Sequence, residues 1–129
     1  MSSRTLPEYF IKDLASKFSL SDYTTSVDFK KRFPSIPVII SPNFLEAGRF
    51  LLKCSEELNQ DCEQIFMLTK LTNLARPSFK KFLAETNHCK CVYLIPKLIF
   101  DGYESPAPFG LCLLQLETNT EAPCQLRIW

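Results

Sequence analysis

Ser41-Pro42-Asn43-Phe44 places two hydrogen-bonding side chains, a proline and an aromatic ring directly after the apolar run Ile36 to Ile40. In an open α/β sheet the ligand crevice lies outside the carboxyl ends of the strands, so a site is first sought there. The plainer use is a strand-to-helix turn in which Ser41 or Asn43 caps the following helix. A second set, Asn87-His88-Cys89-Lys90-Cys91, contains metal-ligating types. Structural zinc wants four ligands, usually as paired close spacings. Here one residue separates Cys89 from Cys91, and only Cys54 and Cys62 are distant candidates. The expected reading is a helix-to-strand turn with a reduced core thiol and no metal. The third set is basic: Lys70, Arg76 and Lys97, with Lys30-Lys31-Arg32, Lys80-Lys81 and Lys90 elsewhere. If Lys70, Arg76 and Lys97 lie at the C-terminal strand edge, they line one rim with Phe44. Phosphate contacts from such a rim position a nucleic acid without reading its sequence. The alternative is ordinary solvated charge. One His and one Trp leave a His-based triad no spare parts.

These residues sit in a chain of 129, a length that points to one domain. Apolar residues make up 46% and charged residues 22%, enough to fill a core and stay in solution. Fifteen Lys and Arg against fourteen Asp and Glu leave a net charge of +1, which excludes a general polyanion binder working by charge alone. Contact with nucleic acid must then come from a local patch. With 3 Gly against 9 Pro, neither a Gly-rich phosphate loop nor a low-complexity linker is available. The stretch Met1 to Thr5 lacks the apolar core of a secretory signal, and no run approaches the ~20 apolar residues of a membrane helix. The six cysteines are therefore expected as reduced thiols of an intracellular protein, cytoplasmic or nuclear, not secreted. Cys112, inside an apolar run, is expected in the core.

The elements that must position the candidates follow from periodicity. Thr5-Leu6-Pro7-Glu8 reads as a capping box with Thr5 as N-cap, and Phe10, Ile11, Leu14, Ala15 and Phe18 form the apolar face of a first helix. Residues 19–35 read as irregular. The run 36–40 reads as a strand buried on both faces. A helix is expected from about Leu45 to Leu58, with Leu45, Gly48, Leu51, Leu52 and Cys54 towards a core. A strand follows at 65–69, then a helix opened by Pro77 with Phe79, Phe82 and Leu83 as its stripe. Further strands are expected at 91–95, 109–116 and 124–129. Phe10, Phe18, Phe50, Phe66, Phe79 and Phe82 read as packing, and Trp129 as partly exposed at a partner surface. Strand–helix–strand alternation implies parallel pairing with right-handed crossovers. The closing strands are expected as an antiparallel edge hairpin, in an α/β sheet of about five strands.

The strand Val38-Ile39-Ile40 running into Ser41-Pro42-Asn43-Phe44 and then a helix resembles the catalytic corner of amino-directed DNA methyltransferases. Their signature is Asp, Asn or Ser, then Pro, usually Pro again, then an aromatic residue. Asn73 to Pro77, Lys80 to Glu85, Cys91 to Lys97 and the closing Gln125 to Trp129 are similar to the small adenine-methylase proteins of phages and mobile elements. The resemblance covers residues 36–129, and residues 5–18 loosely. It implies half of a class I methyltransferase sheet, Rossmann-like, with the 109–116 strand antiparallel and inserted beside the second parallel strand. It also implies that the leading side chain, Ser41, and a backbone carbonyl accept hydrogen bonds from a target amino group. Phe44 would stack on a base extruded from the duplex. Ser41, Pro42, Asn43 and Phe44 would then be the catalytic set, and Lys70, Arg76 and Lys97 the nucleic-acid contacts. Asn43 departs from the usual second proline. The interval 19–35 holds no Gly and cannot contain the cofactor half, since each βαβ crossover needs at least ~10–12 residues.

The expectation is a single methyltransferase-like domain over residues 1–129 without its cofactor-binding half. It is catalytically inactive or partner-dependent, of viral or mobile-element origin, and binds DNA or a complementary subunit. No cofactor-binding residue is assigned. S-adenosylmethionine would bind only with a partner, and no membrane association is expected. The alternative is a small α/β protein–protein adaptor, such as a viral antagonist of a host factor.

Overall fold

The computed structural model describes residues 6–100, 102–105, 110–121 and 123–129. Eight elements follow one another: α1 (Glu8–Lys17), β1 (Val38–Ile40), α2 (Ala47–Leu58), β2 (Gln64–Lys70), α3 (Pro77–Glu85), β3 (Cys89–Ile95), β4 (Leu111–Glu117) and β5 (Gln125–Ile128). Short 3-10 turns at Phe44–Glu46 and Leu71–Ala75 follow β1 and β2. The strands form one mixed sheet in the order β1-β2-β4-β3-β5. β1 pairs parallel with β2, β4 runs antiparallel to both β2 and β3, and β5 pairs parallel with β3. β1, β2, β3 and β5 therefore point the same way, and their C-terminal ends share one edge of the sheet.

The central strands β2 and β4 are buried on both faces, which is why they carry nearly continuous apolar runs rather than alternation. Successive residues of β2 divide between the two layers. Ile65 and Met67 join a cluster with Ala47, Leu51, Cys54 and Leu58 of α2 and Phe79 and Phe82 of α3. Phe66 and Leu68 join Phe10 and Leu14 of α1 on the opposite face. Trp129 is half-buried there. Its ring centroid lies 5.3 Å from that of Phe10 and 5.5 Å from that of Tyr93, and its indole N–H donates to Asp13 at 3.2 Å. The C-terminal residue thus fastens α1 to the sheet.

Helix ends follow local chemistry. α1 closes in a Schellman arrangement: Leu20 N–H donates to Ala15 C=O at 2.8 Å and Ser19 N–H to Ser16 C=O at 3.2 Å. Ser19 takes the left-handed conformation that this motif requires, with φ 54°. α1 begins with Pro7 as its cap residue and no side-chain cap, and the expected cap Thr5 lies outside the described residues. Pro77 opens α3 at a position where its missing N–H costs nothing.

Three expectations need correction. The closing strands do not form an antiparallel edge hairpin. Leu111 to Leu116 are all buried and suit the interior, so β4 enters between β2 and β3, while β5, exposed throughout, takes the edge beside β3. Leu45 and Leu52 do not face a core; they are 74% and 66% exposed. A 3-10 turn precedes α2, so the helical phase restarts at Ala47. Ala47, Leu51, Cys54 and Leu58 then form the inward stripe. The first strand is Val38–Ile40, since Pro37 has no N–H for the ladder and spends its carbonyl on Thr24 N–H at 2.9 Å. The expected start of β4 at Phe109 lies outside the described residues.

Candidate functional site

Strand direction brings two of the three candidate sets, the Ser41 to Phe44 turn and the basic residues Lys70, Arg76 and Lys97, to one edge. Ser41 to Phe44 leave β1, Lys70 ends β2, Arg76 precedes α3, and Lys97 lies two residues beyond β3. Three strand spacings separate β1 from β3, about 14 Å. Arg76 and Lys97 are exposed and Lys70 is half-buried.

Ser41, Asn43 and Phe44 of this turn have distinct roles, and Pro42 is buried and lines the same cavity as Ser41. Asn43 is occupied locally: its Oδ1 accepts from Leu45 N–H at 3.0 Å and caps the following turn. Phe44 is half-buried and packs against the cluster on the α1 face. The turn is held from beneath by a residue that sequence reasoning did not single out as a site. Asn73 Nδ2 donates to Phe44 C=O at 3.1 Å and to Thr69 Oγ1 at 2.9 Å. Both Asn73 and Thr69 are buried. Thr69 near the end of β2, with Asn73 four residues on in the following turn, was the available signal.

Ser41 differs from its neighbours. It is 4% exposed, and its Oγ has no hydrogen-bond partner among the described residues. A hydroxyl in that condition forfeits roughly 1–3 kcal/mol. It lines a cavity of about 310 Å³ at the outer edge of β1, walled by Leu6, Ile11, Thr25, Val27 and Phe50. The segment 19–35 lies along this edge. Thr24 makes a single parallel bridge to Val38, donating to Pro37 C=O and accepting from Ile39 N–H, both at 2.9 Å.

That segment is anchored by Glu57, a carboxylate on α2 buried at 3% exposure that the sequence reading did not flag. Its Oε1 accepts from Phe33 N–H at 2.6 Å and lies 3.4 Å from Arg32 Nε, while Oε2 lies 3.3 Å from Lys53 Nζ. Burial pushes the carboxyl up. The Phe33 hydrogen bond and the Lys53 and Arg32 charges outweigh that and hold it below the usual carboxylate range. Arg32 also reaches Asp61 at 2.9 Å, so one member of the basic run 30–32 is structural.

His88, Cys89 and Cys91 lie at the opposite end of the sheet. His88 is buried with Nδ1 3.1 Å from Glu117 C=O, and its ring lies beside Phe82. Among the described residues, no group of three or more His, Cys, Asp or Glu is placed to hold a metal ion. Cys112 is fully buried, and burial pushes its thiol up to about 12.

Among the described residues no helix is long and apolar enough to cross a membrane. No protein-family model and no curated protein matches the chain.

Proposed function

We propose that the chain is the target-recognition half of an amino-directed DNA methyltransferase-like domain, of viral or mobile-element descent, which binds nucleic acid and transfers no methyl group on its own. Ser41, which lines the cavity and whose buried Oγ has no partner among the described residues, carries this reading. A hydroxyl left without a partner at the C-terminal end of a strand suits a ligand that brings the missing group. The amino group of a nucleobase is such a group. Two further features support it. An antiparallel strand inserted beside the second parallel strand is what the resemblance implies, and β4 pairs antiparallel with β2. Arg76 and Lys97 lie on the same edge as Ser41, where phosphates would pass.

The cavity does not fit S-adenosylmethionine. Among the described residues, no carboxylate lines it to hold a ribose, and no glycine lines it to let backbone approach the methionine part. The edge of β1 where a cofactor half would add its strands already carries Thr24. A partner that extended the sheet there would first have to displace it. Nucleobase recognition, without methyl transfer, is therefore the role that fits this chain.

A second reading, a protein–protein adaptor, is favoured by β5. Leu126 and Ile128 are 66% and 76% exposed on this edge strand. Titration of a short single-stranded DNA against salt separates the two. Nucleic-acid binding is expected to weaken with salt, and Arg76→Ala or Lys97→Ala should each lower the salt slope by about 1 without altering the melt. Absence of salt-dependent binding favours the adaptor. Incorporation of labelled methyl groups by the isolated chain, abolished in Ser41→Ala, would overturn the silent-enzyme part.

A further inference from the structure

Six cysteines are present as free thiols, and two of them meet. Cys89 Sγ and Cys124 Sγ lie 3.0 Å apart. Cys89 is buried at the start of β3, and Cys124 is exposed immediately before β5. The backbone holds them together from both sides. Thr120 N–H donates to Asn87 C=O at 2.8 Å on one side, and Cys91 pairs with Gln125 in the β3–β5 ladder on the other. The sulfurs therefore meet through the register of the sheet. A disulfide bond is about 2.05 Å long, so roughly 1 Å of side-chain movement closes the gap. Neither thiol lines the Ser41 cavity or belongs to the nucleic-acid rim.

We infer that Cys89 and Cys124 are a disulfide-forming pair that fastens β5 to β3 when the surrounding thiol–disulfide pool is oxidising. The oxidant is a small-molecule disulfide such as oxidised glutathione. The Cys124 thiolate attacks one of its sulfurs, a Cys124–glutathione bond forms, and one glutathione thiolate leaves. The Cys89 thiolate then attacks the Cys124 sulfur, the protein disulfide forms, and the second glutathione thiolate leaves. Two protein thiols lose two protons and two electrons, and one glutathione disulfide becomes two thiols. Burial, reinforced by the neighbouring Cys124 thiol, pushes the Cys89 thiol up, so the second exchange is the slower one. The bond would close the chain from Cys89 to Cys124 and hold in place the edge strand bearing Leu126 and Ile128.

The full chain is equilibrated in glutathione buffers from reducing to oxidising, quenched in acid, and unfolded, and its remaining thiols are alkylated and counted by mass. The expected result is a form that takes up four labels rather than six, with peptide mapping joining residue 89 to residue 124. It reverts on reduction and melts at a higher temperature than the reduced form. Cys124→Ser, a change at an exposed position, should abolish that form, whereas Cys91→Ala should retain it. Six labels throughout, a mixed disulfide that stops at Cys124, or a bond mapped to Cys91 would each overturn the assignment.

Discussion

At Glu57 two effects of opposite sign meet, and their balance sets a pH dependence. Burial disfavours the carboxylate, while the Phe33 N–H at 2.6 Å and two cations favour it more, so the folded-state pKa lies below the ordinary value. A depressed carboxylate stabilises the fold above its unfolded pKa, and that contribution is lost as pH falls through the folded value. Thermal melts from neutral to acidic pH should therefore show a decline that Glu57→Gln lacks. At neutral pH Glu57→Gln should cost about 2–3 kcal/mol, because Lys53 loses its counter-charge in a largely buried setting. Equal pH slopes in the two proteins would remove Glu57 from this role. None of this was legible at the residue level. Glu57 sits between Glu56 and Leu58 in sequence, and only the fold turns it inward beneath Phe33. Ser41 is the reverse case. Its place at a strand end was readable, whereas its lack of a partner depends on which segments close around it.

Elements were the most legible level where one physical cause dominated. α3 begins at Pro77, where the proline both stops the preceding turn and starts the helix, and apolar periodicity carries it to Glu85. The expected inward stripe of α2 fails at Leu45, which lies in the 3-10 turn before the helix, and at Leu52, which sits about 100° around the helix from the inward Leu51. The C-terminus of α1 offers a direct test of local backbone chemistry. Ser19 occupies a left-handed position, which costs an L-residue with a Cβ about 1 kcal/mol relative to glycine. Ser19→Gly should raise stability by about that amount in chemical denaturation without changing the dependence on denaturant concentration. A destabilised variant would mean that the Ser19 side chain contributes more than its backbone strain costs.

At the scale of the whole molecule, strand order was the least legible feature. The apolar runs identify which segments are strands, and the full burial of Leu111 to Leu116 marks β4 as interior. Nothing in the period-2 pattern says that the connection from β4 must pass around the start of β3 to place β5 beyond it. That route depends on Thr120 N–H meeting Asn87 C=O and on the β3–β5 register. The resulting common edge is what makes a site conceivable: it gathers Ser41 with Arg76 and Lys97 although 56 residues of sequence separate Ser41 from Lys97.

The central claim is that Ser41 keeps its hydroxyl for a ligand at the expense of the fold, and Ser41→Ala tests it most directly. Removing a buried, unpartnered hydroxyl relieves part of a penalty of roughly 1–3 kcal/mol. The account therefore expects a melting temperature a few degrees higher, since ~1 kcal/mol shifts a domain of this size by about 2–8 °C. Affinity for single-stranded DNA should fall by about twofold to tenfold in the same variant, the range that one lost hydrogen bond allows. A lower melting temperature with unchanged affinity would contradict the account, because the hydroxyl would then serve the fold and not a ligand.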